Sequence, residues 1–193
     1  MSTMLDIVGA LLLFGILIVT IARVQSNLNE ASFQNSFSVI TQGNATELAR
    51  QVEYDFTKIG FRVPVKRILH ADTNLIEFRS DLLNNGIIDT IKYSTGTVSE
   101  ATITANPFDF PLKRRSRTGV LTQQRSLRRF HLRYFDFNHS RIGTPITHID
   151  SLAKIYAINV FFTVEGRETA RGGDTTYYAV FWQKLIYPRN LSN

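Results

Sequence analysis

The chain begins with a long run of apolar residues. Positions 7–22 read IVGALLLFGILIVTIA without a charge, and Met4 and Leu5 extend the run beyond Asp6. As a helix, about 19 residues at ~1.5 Å each span ~28 Å, close to the ~30 Å hydrocarbon core of a bilayer. The run has no polar face of the kind that a helix in a soluble protein shows. The pattern predicts a retained transmembrane helix over residues 1–24, with a cleaved secretory signal or a buried soluble helix as alternatives.

Residues 25–60 follow as a more polar segment with a helical period. Apolar side chains recur every three to five residues at Leu28, Phe33, Phe37 and Ile40, and every three or four residues at Leu48, Val52, Phe56 and Ile59. Gly43 and the capping-box spacing of Asn44 and Glu47 indicate a candidate break near residue 43, and Gly60 lies where a C-cap belongs. We therefore expect one long helix, with a candidate break at that position. The second half of this helix is expected to pack on a domain.

After Gly60 the apolar pattern changes to that of strands. The predicted strands are Phe61–Ile68, Leu75–Arg79, Ile87–Ser94, Thr97–Thr104, Arg129–Phe137, Lys154–Glu165 and Tyr177–Tyr187. The segment from Pro107 to Gln124 is predicted to be a long loop. The last two strands are rich in aromatic and β-branched residues, which favours a hairpin with a glycine-rich tip at the centre of the sheet. The expected fold class is α+β, a long helix packed on an antiparallel β-sheet domain over residues 61–193.

The sequence offers little for catalysis. It contains no cysteine, which excludes disulfides and thiol chemistry. It contains no glycine-rich phosphate loop and no nucleophile elbow, and its four histidines show no metal-binding spacing. We expect a protein that is not an enzyme and that needs no cofactor.

One segment partly matches a calcium-binding loop. Asp81, Asn85 and Asp89 stand at its first, fifth and ninth positions, but Leu83 and Lys92 occupy the third and twelfth. A carboxylate is needed at the twelfth position, so these residues form only a weak metal candidate. The preferred interpretation is a hairpin turn in which Asn85 and the following glycine adopt positive φ angles.

The chain is basic, with a net charge of +6, and its cations are concentrated in one stretch. This patch consists of Lys113, Arg114, Arg115, Arg117, Arg125, Arg128, Arg129 and Arg133. It could bind nucleic acid or anionic lipid, or form a solvated face or a contact with an acidic partner. Strand alternation predicts that Arg129 and Arg133 share a face while Arg128 points to the opposite one. The cations before residue 118 are expected on a flexible loop, which favours a contact with a neighbouring subunit over nucleic acid.

Three segments resemble type IV pilins and pseudopilins, especially the larger minor pilins. Residues 48–61, LARQVEYDFTKIGF, are similar to the end of the long helix in that family. The segment from Ile76–Asp81 through Asp89–Tyr93 resembles the family's first hairpin, and Pro188–Leu191 is similar to its closing segment. The N-terminus departs from the family pattern, because no basic leader or peptidase glycine precedes the apolar run.

The resemblance implies a role for Asp6. Family members carry an acidic residue at the fifth position of the mature chain, where it pairs with the N-terminal amine of the next subunit. Removal of Met1 would place Asp6 at that position, with Asp instead of the usual Glu and Ser2 instead of the usual aromatic residue. Gly9, Ala10 and Gly15 offer small surfaces for close helix contacts.

The leading hypothesis is therefore a structural subunit of a pilus-like filament or secretion pseudopilus. Its partners would be other copies of itself or related pilin-like subunits, and membrane lipid before assembly. The resemblance implies an inner-membrane anchor and an extracytoplasmic domain that ends in a periplasmic or cell-surface filament, although Arg23 weakly favours the opposite orientation. The alternatives are a membrane-tethered basic β domain that binds DNA or another polyanion, and a subunit of a different envelope complex that uses the helix as a tether.

Overall fold

One long helix and an antiparallel sheet make up residues 2–102, 106–116, 119–169 and 175–191, which the computed structural model describes. The helices are α1 (Ser2–Thr57) and α2 (Ile149–Ala153), with a 3-10 turn at Val98–Glu100. The strands are β1 (Ile68–Ala71), β2 (Leu75–Ser80), β3 (Asp89–Thr95), β4 (Phe110–Ser116), β5 (Gly119–Phe135), β6 (Arg141–Ile142), β7 (Ala157–Thr169) and β8 (Thr175–Ile186). The predicted α+β class is confirmed.

Helix α1 runs without interruption through Gly43, so the predicted break at this position is wrong. Thr41 and Ala45, on either side of the glycine, are both buried. The helix lies so close to β7 that a Cβ atom at Gly166 would be 2.6 Å from Thr41 Oγ1. A glycine inside a helix costs about 1 kcal/mol, and packing on both sides of Gly43 offsets that cost.

The second half of α1 supplies one side of the hydrophobic core. The predicted stripe is fully buried at Leu48, Val52, Phe56 and Ile59. The Phe56 ring makes edge contacts with Phe78 on β2 and Tyr93 on β3, at centroid separations of 5.9 and 5.5 Å. Such edge contacts add to the burial of the rings themselves. The core therefore joins the helix to the first strands of the sheet.

The chain turns sharply after α1 and does not enter a strand. Gly60, Arg62 and Lys66 have φ angles of 78°, 59° and 54°. These angles lie in the left-handed region, which a strand does not use. The prediction of a strand at Phe61–Ile68 is therefore wrong, and the first strand is the short β1. The Gly60 N–H donates to the Arg79 carbonyl at 2.9 Å, which fixes the turn against β2.

The sheet has the strand order β1-β2-β3-β4-β5-β7-β8, with β6 paired to β5. Strands β7 and β8 form the predicted hairpin, in register from Thr169 and Thr175 at the tip to Ile158 and Ile186 at the base. The residues of the predicted glycine-rich tip, 170–174, lie outside the described residues. The expected central position of this hairpin is wrong, because β8 is an edge strand. Helix α1 covers only one face of β8. The opposite face of this aromatic-rich strand is largely exposed.

Much of the predicted loop at Pro107–Gln124 is strand. Strands β4 and β5 pair from Phe110 opposite Leu127 to Ser116 opposite Gly119. Alternation is hard to see in the sequence of β4, because one of its inward positions is an arginine. The predicted strand Thr97–Thr104 is also wrong, since Val98–Glu100 form a 3-10 turn; residues 103–105 lie outside the described residues.

The last turns of α1 are bonded near both ends of the strand order. On one side, Tyr54 Oη donates to the Leu82 carbonyl, just beyond β2, at 3.2 Å. On the other side, Lys184 on β8 forms an ion pair with Glu53. Because β2 and β8 are five places apart in the sheet order, both sides of the sheet hold this end of the helix.

Candidate functional site

The N-terminal part of α1 projects from the domain without any covering. Its large apolar side chains from Met4 to Ile21 are between 49% and 80% exposed. Within the described part of the chain, α1 is the one helix long and apolar enough to cross a membrane, with a mean hydropathy of 2.6 over its most apolar window. A helix of this length and composition is compatible with membrane anchoring.

The predicted assembly residues fall on two sides of this helix. Gly9 and Ala10 follow Asp6 by three and four residues, so the three share one face. Gly15 follows Asp6 by two and a half turns and therefore lies on the opposite face. A Cβ atom at Gly9 or Gly15 would meet nothing within 4 Å, so both glycine surfaces are open. The helix thus brings Asp6 together with Gly9 and Ala10 and separates Gly15 from them.

The apolar stripe continues along α1 beyond the predicted membrane segment. Leu28 and Phe33 are each 63% exposed, Ile40 is 59% exposed and Phe37 is 37% exposed. We call residues 25–40 the stalk. A helix of 56 residues is about 84 Å long, nearly three times the thickness of the hydrocarbon core. A bilayer around residues 1–24 would therefore leave the apolar side chains of the stalk outside its hydrocarbon core.

The predicted basic patch is divided by the fold. Lys113 Nζ lies 2.7 Å from Glu100 Oε1, and Arg114 Nε lies 2.6 Å from Asp55 Oδ2. Both cations belong to β4 and already have acidic partners within the domain. The prediction that they form a flexible loop available to a neighbouring subunit is therefore wrong.

The next cations of the patch do not form a purely basic surface. Arg115 is exposed and lies opposite Lys92 on β3. Glu77 and Asp89 line the same cleft, so its charge is mixed. Arg117 lies outside the described residues, as does the side chain of Arg125.

The last three members of the patch are all exposed on β5. Arg129 pairs with Thr163 on β7, whereas Leu127 pairs with Val164, so a β-bulge inserts Arg128 between them. Arg128 and Arg129 are consequently both exposed, and so is Arg133. The prediction that Arg128 points to the opposite face is wrong, because the bulge interrupts the alternation on which it depended.

A buried polar network links α1 to β3 and β4. Tyr93 Oη donates to Asp55 Oδ2 at 2.6 Å, and Arg114 donates to the same oxygen. Burial raises the pKa of Tyr93 well above its usual value of 10, and the charge of Asp55 adds to this effect. Burial alone would lower the pKa of Arg114, but its hydrogen bond and charge interaction with Asp55 outweigh burial and raise that pKa. Sequence reasoning missed this network, although an acidic residue beside the buried stripe of α1 was a signal for it.

Asp81 organises the loop that partly matches a calcium site. Its carboxylate accepts hydrogen bonds from the backbone N–H groups of Asn85 at 3.0 Å and Gly86 at 2.9 Å, and from Arg62 at 2.8 Å. Burial would raise the pKa of Asp81, but the Gly86 N–H, Arg62 and the Asn85 N–H together lower it. Positive φ angles occur at Asn84 and Gly86, and not at Asn85 as predicted. The Asp81 carboxylate is thus engaged by the loop backbone and by Arg62.

Lys58 joins the same loop to the end of α1. Its ammonium lies 2.8 Å from Tyr54 Oη, 2.9 Å from the Leu82 carbonyl and 3.3 Å from Asn84 Oδ1. It also lies 4.6 Å from the centre of the Tyr54 ring. The Lys58 ammonium from the end of α1 therefore occupies the side of the loop formed by the Leu82 carbonyl and Asn84. No sequence pattern indicates this contact, because it joins residues that are distant along the chain.

No group of three or more acidic or histidine side chains among the described residues is arranged to hold a metal ion. The geometry instead emphasises two exposed surfaces, the apolar length of α1 and the cationic part of β5. Comparison with known proteins adds no assignment, because no family profile, curated protein or solved structure matches this chain.

Proposed function

We propose that this protein is a structural subunit of a type IV pilus-like filament or secretion pseudopilus. The observation that carries the proposal is the single uninterrupted helix α1, which joins an apolar membrane-length segment, the stalk and the core of the domain. The large apolar side chains of this helix remain exposed from Met4 to Ile40. Such a helix is suited to packing beside copies of itself.

A simple membrane tether would not need the stalk in this form. A tether requires an apolar span and a connection that tolerates water. The stalk instead carries Leu28, Phe33 and Phe37 in water-exposed positions. Exposed apolar surface of this extent is typical of interaction sites. Neighbouring α1 helices would cover these side chains, which favours a filament over a tether.

Asp6 supports the same proposal. A carboxylate at the edge of an apolar helix is unfavourable in lipid unless it has a partner. The resemblance to pilins supplies such a partner, the N-terminal amine of the next subunit. Gly9 and Ala10 on the same face would let a neighbouring helix approach Asp6 closely.

The proposed location follows from the same assembly. The N-terminus of α1 would lie at the cytoplasmic side of the inner membrane, with the sheet domain outside the cytoplasm. Arg23, at the other end of the apolar segment, favours the opposite orientation by its charge. Assembly through α1 outweighs a single flanking cation in this proposal.

A photo-reactive phenylalanine analogue at Phe33 tests the proposal in the full-length protein in membranes. If copies pack side by side along α1 in an open, head-to-tail array, each subunit links to the next and illumination yields a ladder of multimers. The matched control places the same analogue at Ser99, which is exposed on the 3-10 turn of the domain. Monomers alone from the Phe33 variant would contradict the proposal, and a product limited to dimers would indicate a closed pair.

A further inference from the structure

The face of the sheet that points away from α1 is built on β5, β7 and β8. On β5, Phe130 and Leu132 are buried in the core. The residues that alternate with them, Arg129, His131 and Arg133, are exposed and therefore point outward. We call this surface the outer face.

Strand register places cations and aromatic rings of the outer face in two parallel rows. Arg129 lies opposite Thr163 on β7, which lies opposite Phe181 on β8. Arg133 stands four residues beyond Arg129, about 13 Å along β5, and lies in line with Asn159 and Leu185. Tyr177 stands four residues from Phe181 in the opposite direction, opposite Arg167, so the two rows are staggered and meet at Arg129 and Phe181. The two rows are two strands apart, about 10 Å. The floor between them is β7.

The aromatic row is open to solvent. Phe181 is 60% exposed and Tyr177 is 41% exposed. Phe161, on the floor, packs against Phe181 with ring centroids 4.7 Å apart, which holds the Phe181 ring in place from one side. Large aromatic rings are exposed at an edge strand that has no further strand beside it within the described sheet.

Among the described residues, the cationic row has no acidic partner in an ion pair. None of Arg128, Arg129 and Arg133 makes an ion pair with a described residue. The acidic side chain described on these strands is Glu165, and Asn106 donates a hydrogen bond to it at 2.8 Å. Arg128 lies over the Phe108 ring at 5.0 Å, which keeps its guanidinium beside an aromatic surface. The charge of the outer face is therefore complementary to a polyanion.

We propose that the outer face binds single-stranded nucleic acid along β7. Phosphates would lie against Arg128, Arg129 and Arg133, and unpaired bases would stack on Phe181 and Tyr177. Such pairing of a cationic track with aromatic rings on an open sheet is how proteins hold single strands. A duplex has its bases stacked inside and can use only the cationic row. This activity does not depend on filament assembly.

A second copy of the protein is a less favourable occupant. The chain carries a net charge of +6, and the outer face contributes to it. Two such faces in contact would bring like charges together. A single-stranded nucleic acid satisfies both the cations and the exposed rings.

The test measures fluorescence anisotropy of a labelled oligothymidine with the full-length protein in uncharged detergent. We expect a Kd below about 10 µM at 50 mM salt, with a loss of roughly 20-fold at 200 mM if three phosphates are neutralised. Phe181→Ala should weaken binding by at least about fivefold through lost stacking. The control Phe137→Ala removes a ring that is more exposed but lies outside the outer face, and should leave affinity unchanged.

A second pair of variants tests the cationic row. Arg129→Gln combined with Arg133→Gln should reduce the salt effect to about threefold over the same range. Lys66→Gln combined with Lys154→Gln removes the same charge outside the outer face. This control should reduce the salt effect less than the double arginine variant does. Absence of binding at 50 mM salt would overturn the proposal. Equal affinity for duplex and single strand, with no effect of Phe181→Ala, would also overturn it and leave only non-specific electrostatics. All variants should keep a cooperative unfolding transition, since the altered side chains are exposed and lie outside the core.

Discussion

Arg114 Nε donates a hydrogen bond to Asp55 Oδ2 at 2.6 Å, which joins β4 to the last turns of α1. The side chains are 13% and 3% exposed. The long helix is therefore attached to the domain by a charged pair as well as by apolar packing. Tyr93 donates to the same carboxylate oxygen, so three elements meet at one atom.

Asp55→Asn should destabilise the domain strongly. The change removes the negative charge but leaves the Arg114 guanidinium in a largely buried position, for which a loss of about 3–5 kcal/mol is expected. Chemical denaturation of the full-length protein measures this loss. Asp150→Asn, at an exposed position on α2, serves as the control and should change stability by less than about 0.5 kcal/mol.

Replacing both members of the pair provides a further check. Asp55→Leu with Arg114→Met should be more stable than either single change, because no buried charge is left without a partner. If Asp55→Asn behaves like Asp150→Asn, the pair does not hold the helix to the sheet.

Alkaline pH should weaken the same network through Tyr93. The folded-state pKa of Tyr93 is raised above its unfolded value near 10, so the protonated form is favoured in the native protein. Its contribution to stability is complete below pH 10 and is lost as the pH rises through the folded pKa. Tyr93→Phe lacks this contribution, so the difference in unfolding free energy between parent and variant should shrink above about pH 10. A difference that stays constant into the alkaline range would contradict the assignment.

The sequence predicted the parts of the fold that depend on local pattern. The buried stripe at Leu48, Val52 and Phe56 follows the helical period, and the β7–β8 hairpin follows from its aromatic and β-branched residues. In both, side-chain type and periodicity agree. The uninterrupted course of α1 through Gly43 could not be predicted in this way, because it depends on packing against a strand more than a hundred residues later.

The wrong predictions for β4 and β5 also concern features that local sequence pattern does not reveal. Arg114 faces the interior because Asp55 compensates its charge, so an inward position of the strand looks like a surface residue. Arg128 is displaced by a bulge that nothing in the sequence marks. The outer face could not be predicted because it depends on the register of three strands, which brings Arg129 into line with Phe181.

Calcium should not stabilise the domain. The Asp81 carboxylate already accepts two backbone N–H groups and the Arg62 guanidinium, and the Lys58 ammonium lies on the inner side of the loop. A ligand that binds only the native state raises the melting temperature. Thermal unfolding with calcium and with a chelator should therefore give the same midpoint, and a rise of several degrees with calcium would show that Asp81, Asn85 and Asp89 bind it.

Asp6→Ala should separate membrane insertion from assembly. The carboxylate contributes nothing favourable to an apolar span, so the variant should enter membranes as well as the parent. We expect it to be absent from filaments, because it cannot pair with a neighbouring amine. Membrane fractionation measures the first outcome and the yield of sedimentable filaments the second. Normal filament yield from the variant would refute the role of Asp6.

Electron cryo-microscopy of the assembled full-length protein tests the central proposal most directly. We expect a filament whose axis is a bundle of α1 helices, with the stalk residues Leu28 and Phe33 covered by neighbouring helices and the sheet domains on the outside. Discrete particles in detergent, with the stalk exposed and no contacts between α1 helices under conditions that preserve membrane assemblies, would contradict it.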